Sequence, residues 1–156
     1  MNKQHNYNIQ TTWIGNSGNG TKTYRSYSRN HEIISEGKAL IECSSDPSFL
    51  GDKTRYNPEE LLVASLSSCH MLWYLHLCSE AGVVVNSYAD EATGTMEETP
   101  SGGGRFTEVT LHPNIKVAEE SMLEKARTLH SKAHSLCFIA NSVNFEVKCE
   151  DSVSVG

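Results

Sequence analysis

The residues in this chain whose types could do chemistry are its five cysteines and seven histidines. Two of the cysteines close off one apolar run, "CHMLWYLHLC", from Cys69 to Cys78. A thiol can be a nucleophile, a redox partner, a metal ligand or simply a small hydrophobe. On a helix, positions nine apart differ by about 900° of turn and about 13.5 Å of rise. Cys69 and Cys78 would therefore point to opposite sides, and a disulfide, which needs Cα atoms within about 7 Å, cannot join them. A partner for either must come from Cys43, Cys137 or Cys149. Cys137 is the best placed, because it follows Ala133 by four residues on the buried side of a second helical stripe. Two packed helices could each contribute a thiol to one core. Inert burial competes with this reading, since free cysteine is among the most buried residue types. An apolar setting would also raise the Cys69 thiol above its free pKa of about 8.5. Cys69 stands about ten residues into its helix, beyond the reach of the terminal dipole. To act as a nucleophile it needs a cation from elsewhere, and Arg25, Arg29 and Arg55 are the choices.

The histidines offer a competing constellation. His130, His134 and Cys137 follow H-x3-H-x2-C, which on a helix gathers three possible zinc ligands within an arc of about 100°. No second cluster of ligand type accompanies them. His70 and His76 suit hydrogen-bonded positions in a core or an interface. The stretch "SGGGRF" lacks the strand and helix context of a phosphate loop, and no haem, flavin or nucleotide motif is visible. No bound cofactor is expected.

These residues need elements to position them. "NPEELL" is a helix start: Asn57 suits the N-cap, Pro58 the first helical position, and Glu59 and Glu60 the positive end of the dipole. Gly82 is a natural stop. The helix predicted over 59–81 is apolar around most of its circumference, so it should be buried on nearly all sides. One small domain provides little cover for such a helix, which hints at dimerisation. A second helix over 118–137 has a narrow stripe of Ala118, Met122, Ala126, Leu129, Ala133 and Leu136, and its charges form a solvated face. Strands are expected at 7–14, 21–27, 38–43, 83–97, 105–117 and in "VNFEVKC", with a hairpin tip at 100–104. That order is α+β. At 156 residues the chain is expected to form a single domain, 1–156.

The formal charge of −6 argues against nucleic acid as a partner. The opening residues lack an apolar h-region, and serines and histidines interrupt the longest apolar run, so neither export nor a membrane span is expected. A cytoplasmic protein keeps its thiols reduced, which makes any disulfide here transient.

"NPEELLVASLSSC", followed much later by "AHSLCFIANSVNFEV", resembles the OsmC/Ohr family of thiol-dependent peroxidases over roughly residues 20–150. The resemblance implies an intertwined homodimer, with curved antiparallel sheets wrapped around two central long helices. It implies that Cys69 is the peroxidatic cysteine, attacking an organic hydroperoxide to release an alcohol and leave a sulfenic acid. Cys137 would be the resolving cysteine that condenses with it to a disulfide. A dithiol of the dihydrolipoamide type, or a reductant protein, would restore both thiols. Glu59 matches the carboxylate that orients an arginine, and "RNHEIISEGKALIE" makes Arg29 the first choice, ahead of Arg25 and Arg55. Glu59 and Cys69 are about 15 Å apart along one straight helix, so a guanidinium serving both implies a site shared between subunits. Two departures stand out: "CFIANS" where the family commonly has Cys-Pro, and "HMLWYLHLC" where it has small residues. Met71, Leu72, Trp73 and Tyr74 would suit an apolar organic peroxide. The alternative on the same fold is a redox-sensing or small-ligand-binding protein with little turnover.

Overall fold

The computed structural model describes residues 3–156. The chain divides into two compact units, one ending at Leu61 and the other running Leu62–Gly156. The first unit carries an antiparallel sheet of β1 (Gln10–Trp13), β2 (His31–Ile34) and β3 (Ile41–Cys43), in that order. The strand expected at 21–27 does not form. Its place is taken by turns, and local polar bonds explain why. Asn16 Oδ1 accepts the amides of Gly18 and Gly20 at 2.9 and 3.0 Å. Ser26 Oγ accepts the Thr23 amide at 3.0 Å and donates to the Thr23 and Gly20 carbonyls. These bonds offer the backbone an alternative to a sheet ladder. Gly18 and Gly20, at φ +102° and +53°, supply the left-handed turns.

Helix α1 (Pro58–Glu80) begins at the end of the first unit and continues through the second. Its start is a reciprocal cap. Asn57 Oδ1 accepts the Glu60 amide at 2.7 Å, and Glu60 Oε2 accepts the Asn57 amide at 3.0 Å. The box uses Glu60 and leaves Glu59 out. Asn57→Ala should lower stability by about 1 kcal/mol, measured as the shift of the urea midpoint; an unchanged midpoint would contradict the role given to the cap. At the other end Gly82, at φ +73°, lets the Val83 amide bond back to the Cys78 carbonyl at 2.9 Å. Length and composition alone would let α1 cross a membrane, so its serines and histidines do not exclude one as the sequence suggested. Here Leu66, His70, Tyr74, Leu77 and Cys78 make it a core element of the protein.

The two long strands expected in the second unit each break in two. β4 (Val85–Asp90) and β5 (Thr93–Glu98) face β7 (Pro113–Val117) and β6 (Gly104–Leu111) in antiparallel pairs. Asp90 sits at the break. Its Oδ1 accepts the His112 amide at 2.7 Å, from the residue separating β6 from β7. The bent ribbon thus feeds two three-stranded sheets, β4-β7-β9 and β5-β6-β8. Helix α2 (Leu123–Leu136) carries the chain from β7 to β8 (Glu146–Cys149) and β9 (Ser152–Val155), which pair parallel with β6 and β7. The sheets of this unit are therefore mixed, where purely antiparallel ones were expected. The reason is the long crossover through α2, which parallel pairing requires. One core joins Tyr74, Leu77 and Cys78 of α1 to Ile115, Val117, Ala126, Ala133 and Val153. A second gathers Leu66, Val109 and Leu111.

Candidate functional site

Of the residues singled out in the sequence, the structure brings Cys69 and Cys137 together. All five cysteines are unpaired thiols. Cys69 is half-buried on α1 in the second unit. Cys137 is buried at the residue that ends α2, where φ −65° and ψ 110° turn the backbone out of the helix. Its sulfur accepts the Ala140 amide at 3.4 Å. Burial pushes the Cys137 thiol up to about 11, and a hydrogen bond with Cys69 adds to the rise. The two sulfurs are therefore within hydrogen-bond reach of one another.

At pH 7 a thiol of that pKa is ionised about once in 10⁴. Alkylation of Cys137 in the reduced protein should therefore be slow at neutral pH and rise about tenfold per pH unit up to pH 10. Differential labelling read by peptide mass spectrometry checks this; fast, pH-independent labelling would contradict it.

Of the apolar residues expected around Cys69, Trp73 stands edge-on to Phe138, centroids 5.6 Å apart, while Leu72 is exposed and Tyr74 is buried against His130. Cys43 and Cys78 are buried, and burial raises both thiols. The arginines lie in the first unit. Arg29 donates to the Tyr27 and Tyr24 carbonyls, each at 2.6 Å, and its guanidinium lies over both rings at 4.3 and 4.2 Å. Arg25 is exposed. Arg55 bonds Glu42 at 2.9 Å, and its other terminal nitrogen is buried without a partner. Glu59 makes no hydrogen bond or ion pair among the described residues, Arg29 included.

The competing ligand set of His130, His134 and Cys137 does not converge. Cys137 leaves the helical arc and turns its sulfur to Cys69, and His134 stays half-buried apart from His130. His130 instead meets two residues from distant parts of the chain. His70 Nε2 lies 3.0 Å from His130 Nδ1, and the Cys149 sulfur lies 3.7 Å from the first nitrogen and 3.8 Å from the second. Burial holds His70 down to about 4 and lowers His130. Sequence reasoning placed His70 correctly in the core but missed the grouping. The available signal was the four-residue spacing of Leu66, His70 and Tyr74, which puts all three on the buried side of α1.

The OsmC family model, described as OsmC-like protein, matches residues 51–150. The chain belongs to the OsmC-like family. Among solved structures it is similar to an OsmC-like protein of unknown function from Vibrio cholerae O1 biovar eltor. That pair is 33% identical over 96% of this chain and 100% of the other, with a TM-score of 0.85. A candidate organic hydroperoxide resistance protein of the same organism, with captopril bound in one of its active sites, is 26% identical. The match covers 98% of this chain and 95% of that one, at a TM-score of 0.67. An organic hydroperoxide resistance protein from Elizabethkingia anophelis shares the fold at 24% identity and a TM-score of 0.67, over 99% and 100% of the two chains. No curated protein matches the OsmC-like chain significantly.

Proposed function

We infer that this OsmC-like protein is a cysteine-based peroxidase that reduces organic hydroperoxides to alcohols. The observation that carries the reading is the contact between Cys69 and Cys137, in a chain similar to an organic hydroperoxide resistance protein. Cys69, as thiolate, attacks the outer peroxide oxygen. The O–O bond breaks, the alkoxide takes a proton and leaves as the alcohol, and Cys69 becomes a sulfenic acid. The Cys137 sulfur then attacks the Cys69 sulfur. The hydroxyl leaves as water with the Cys137 proton, and a disulfide remains. An external dithiol reduces it and is itself oxidised to a disulfide. The steps need no bound cofactor. Trp73 and Phe138 suit an apolar alkyl or aryl group on the peroxide.

The role proposed for Arg29 is to favour the thiolate and donate to the peroxide oxygens, oriented by Glu59. We place the reaction in the cytoplasm, in a homodimer whose subunits share the site. Proteins of this family are typically dimeric. Exposed apolar side chains support the same state, since Leu72 of α1 is 63% exposed and Phe138, edge-on to Trp73, 69%. Consumption of cumene hydroperoxide with dihydrolipoamide in excess tests the function. Sustained turnover is expected. A single stoichiometric loss of thiol without cycling would favour a redox sensor on the same fold.

A further inference from the structure

The His70, His130 and Cys149 group is not used by the proposed chemistry, and nothing else in the fold accounts for it. Its members come from α1, α2 and the last residue of β8, separated by 60 and 19 positions in sequence. The two rings are buried, 1% and 4% exposed, and stack within 5° of parallel. Their facing nitrogens share one hydrogen bond, while the outer nitrogens, His70 Nδ1 and His130 Nε2, are buried with no hydrogen-bond partner among the described residues. Ligation at the facing nitrogens would place each ring's proton on its outer nitrogen. The arrangement brings two imidazole nitrogens and a sulfur within 3.8 Å of one another.

We propose that His70 Nε2, His130 Nδ1 and Cys149 Sγ form a binding site for a single zinc-type divalent ion. An ion about 2.0–2.1 Å from each nitrogen and about 2.3 Å from sulfur, at tetrahedral to trigonal angles, sets N–N at about 3.3–3.6 Å and N–S at about 3.6–3.8 Å. The N–S separations here are 3.7 and 3.8 Å, and the nitrogens stand at 3.0 Å. Only the two rings must part, by a few tenths of an ångström. Two imidazoles and a thiolate match the softness of zinc rather than magnesium or calcium, which take oxygen ligands. Loading displaces the proton shared by the rings to an outer nitrogen and sends the Cys149 proton to solvent. Three protein ligands leave a tetrahedral ion one further position for water or another ligand. The ion would tie α1, α2 and β8 together on the face of α1 that also carries Leu66 and Tyr74. Cys69 and Cys137 are not among its ligands, so the site is independent of the peroxidase reading.

The test uses the full-length, untagged, reduced protein titrated anaerobically with Co²⁺ and then Zn²⁺. One equivalent of Co²⁺ should give a sulfur-to-cobalt charge-transfer band, which one equivalent of Zn²⁺ abolishes. Cys149→Ser should remove the band, and His130→Gln should weaken binding at least tenfold. The double variant Cys69→Ser, Cys137→Ser should keep both band and affinity. X-ray absorption of the zinc-loaded wild type, which does not depend on any variant folding, should count one sulfur and two imidazoles. Absence of the band, its survival in Cys149→Ser, its loss in the double variant, or any other sulfur count would overturn the proposal.

Discussion

Cys69→Ser is expected to bring hydroperoxide consumption down to the rate of buffer and dithiol alone, a fall on the order of 10⁴-fold or more. A serine hydroxyl keeps the size of the side chain but cannot accept an oxygen atom from a peroxide, so the first step has no chemical substitute. The position is half-buried and its sulfur has one identified polar neighbour, Cys137. The variant should therefore fold, and an unchanged far-ultraviolet circular dichroism spectrum separates lost chemistry from lost structure. Steady-state assays with cumene hydroperoxide and dihydrolipoamide read the effect. Activity within tenfold of the parent would remove Cys69 from the mechanism.

The second large effect is a change of kinetic form. With Cys137→Ser, one equivalent of peroxide per chain should still be reduced in a burst, after which turnover stalls. A neighbouring thiol in contact acts at an effective molarity that reaches about 10⁵–10⁸ M in well-oriented intramolecular reactions. A millimolar external dithiol cannot replace it, and cycling should fall by at least about 10²-fold. The stranded sulfenic acid should then be trapped by dimedone, and excess peroxide should drive it on to the sulfinic acid. Rapid-mixing kinetics with dimedone labelling make the measurement. Undiminished turnover would show that an external thiol resolves Cys69 directly.

Parts of this picture could be read from residue types, and the failures have identifiable causes. Helix α1 was legible to within a residue at each end, because its cap, Pro58 and Gly82 are local signals that need no tertiary context. The second helical stripe made Cys137 the best-placed partner for Cys69, and the turn of the backbone out of α2 at Cys137 is what the stripe did not reveal. The turn at 21–27 was misjudged because the alternation in "TKTYRSY" imitates a strand, while Ser26 and Asn16 commit the backbone elsewhere. β2 and β9 are four residues each and have little periodicity of their own. β9 exists because it adds to β7 in parallel, a pairing that only the α2 crossover makes possible. Cys149 reaches the two histidines for a similar reason, since its strand aligns it beside Leu111. Spacing along one helix pointed to His134 and Cys137 as companions of His130. The register of a strand supplied Cys149, and the buried face of α1 supplied His70.

Peptide mapping after a single oxidation tests the central claim most directly. Reduced protein is treated with one equivalent of cumene hydroperoxide, quenched with an alkylating agent, digested without reductant and examined by mass spectrometry. The expected product is a crosslink between the peptides holding Cys69 and Cys137, with Cys43, Cys78 and Cys149 recovered alkylated or unmodified. A crosslink of Cys69 to any other cysteine, or oxidation that leaves Cys69 a free thiol, would contradict the account.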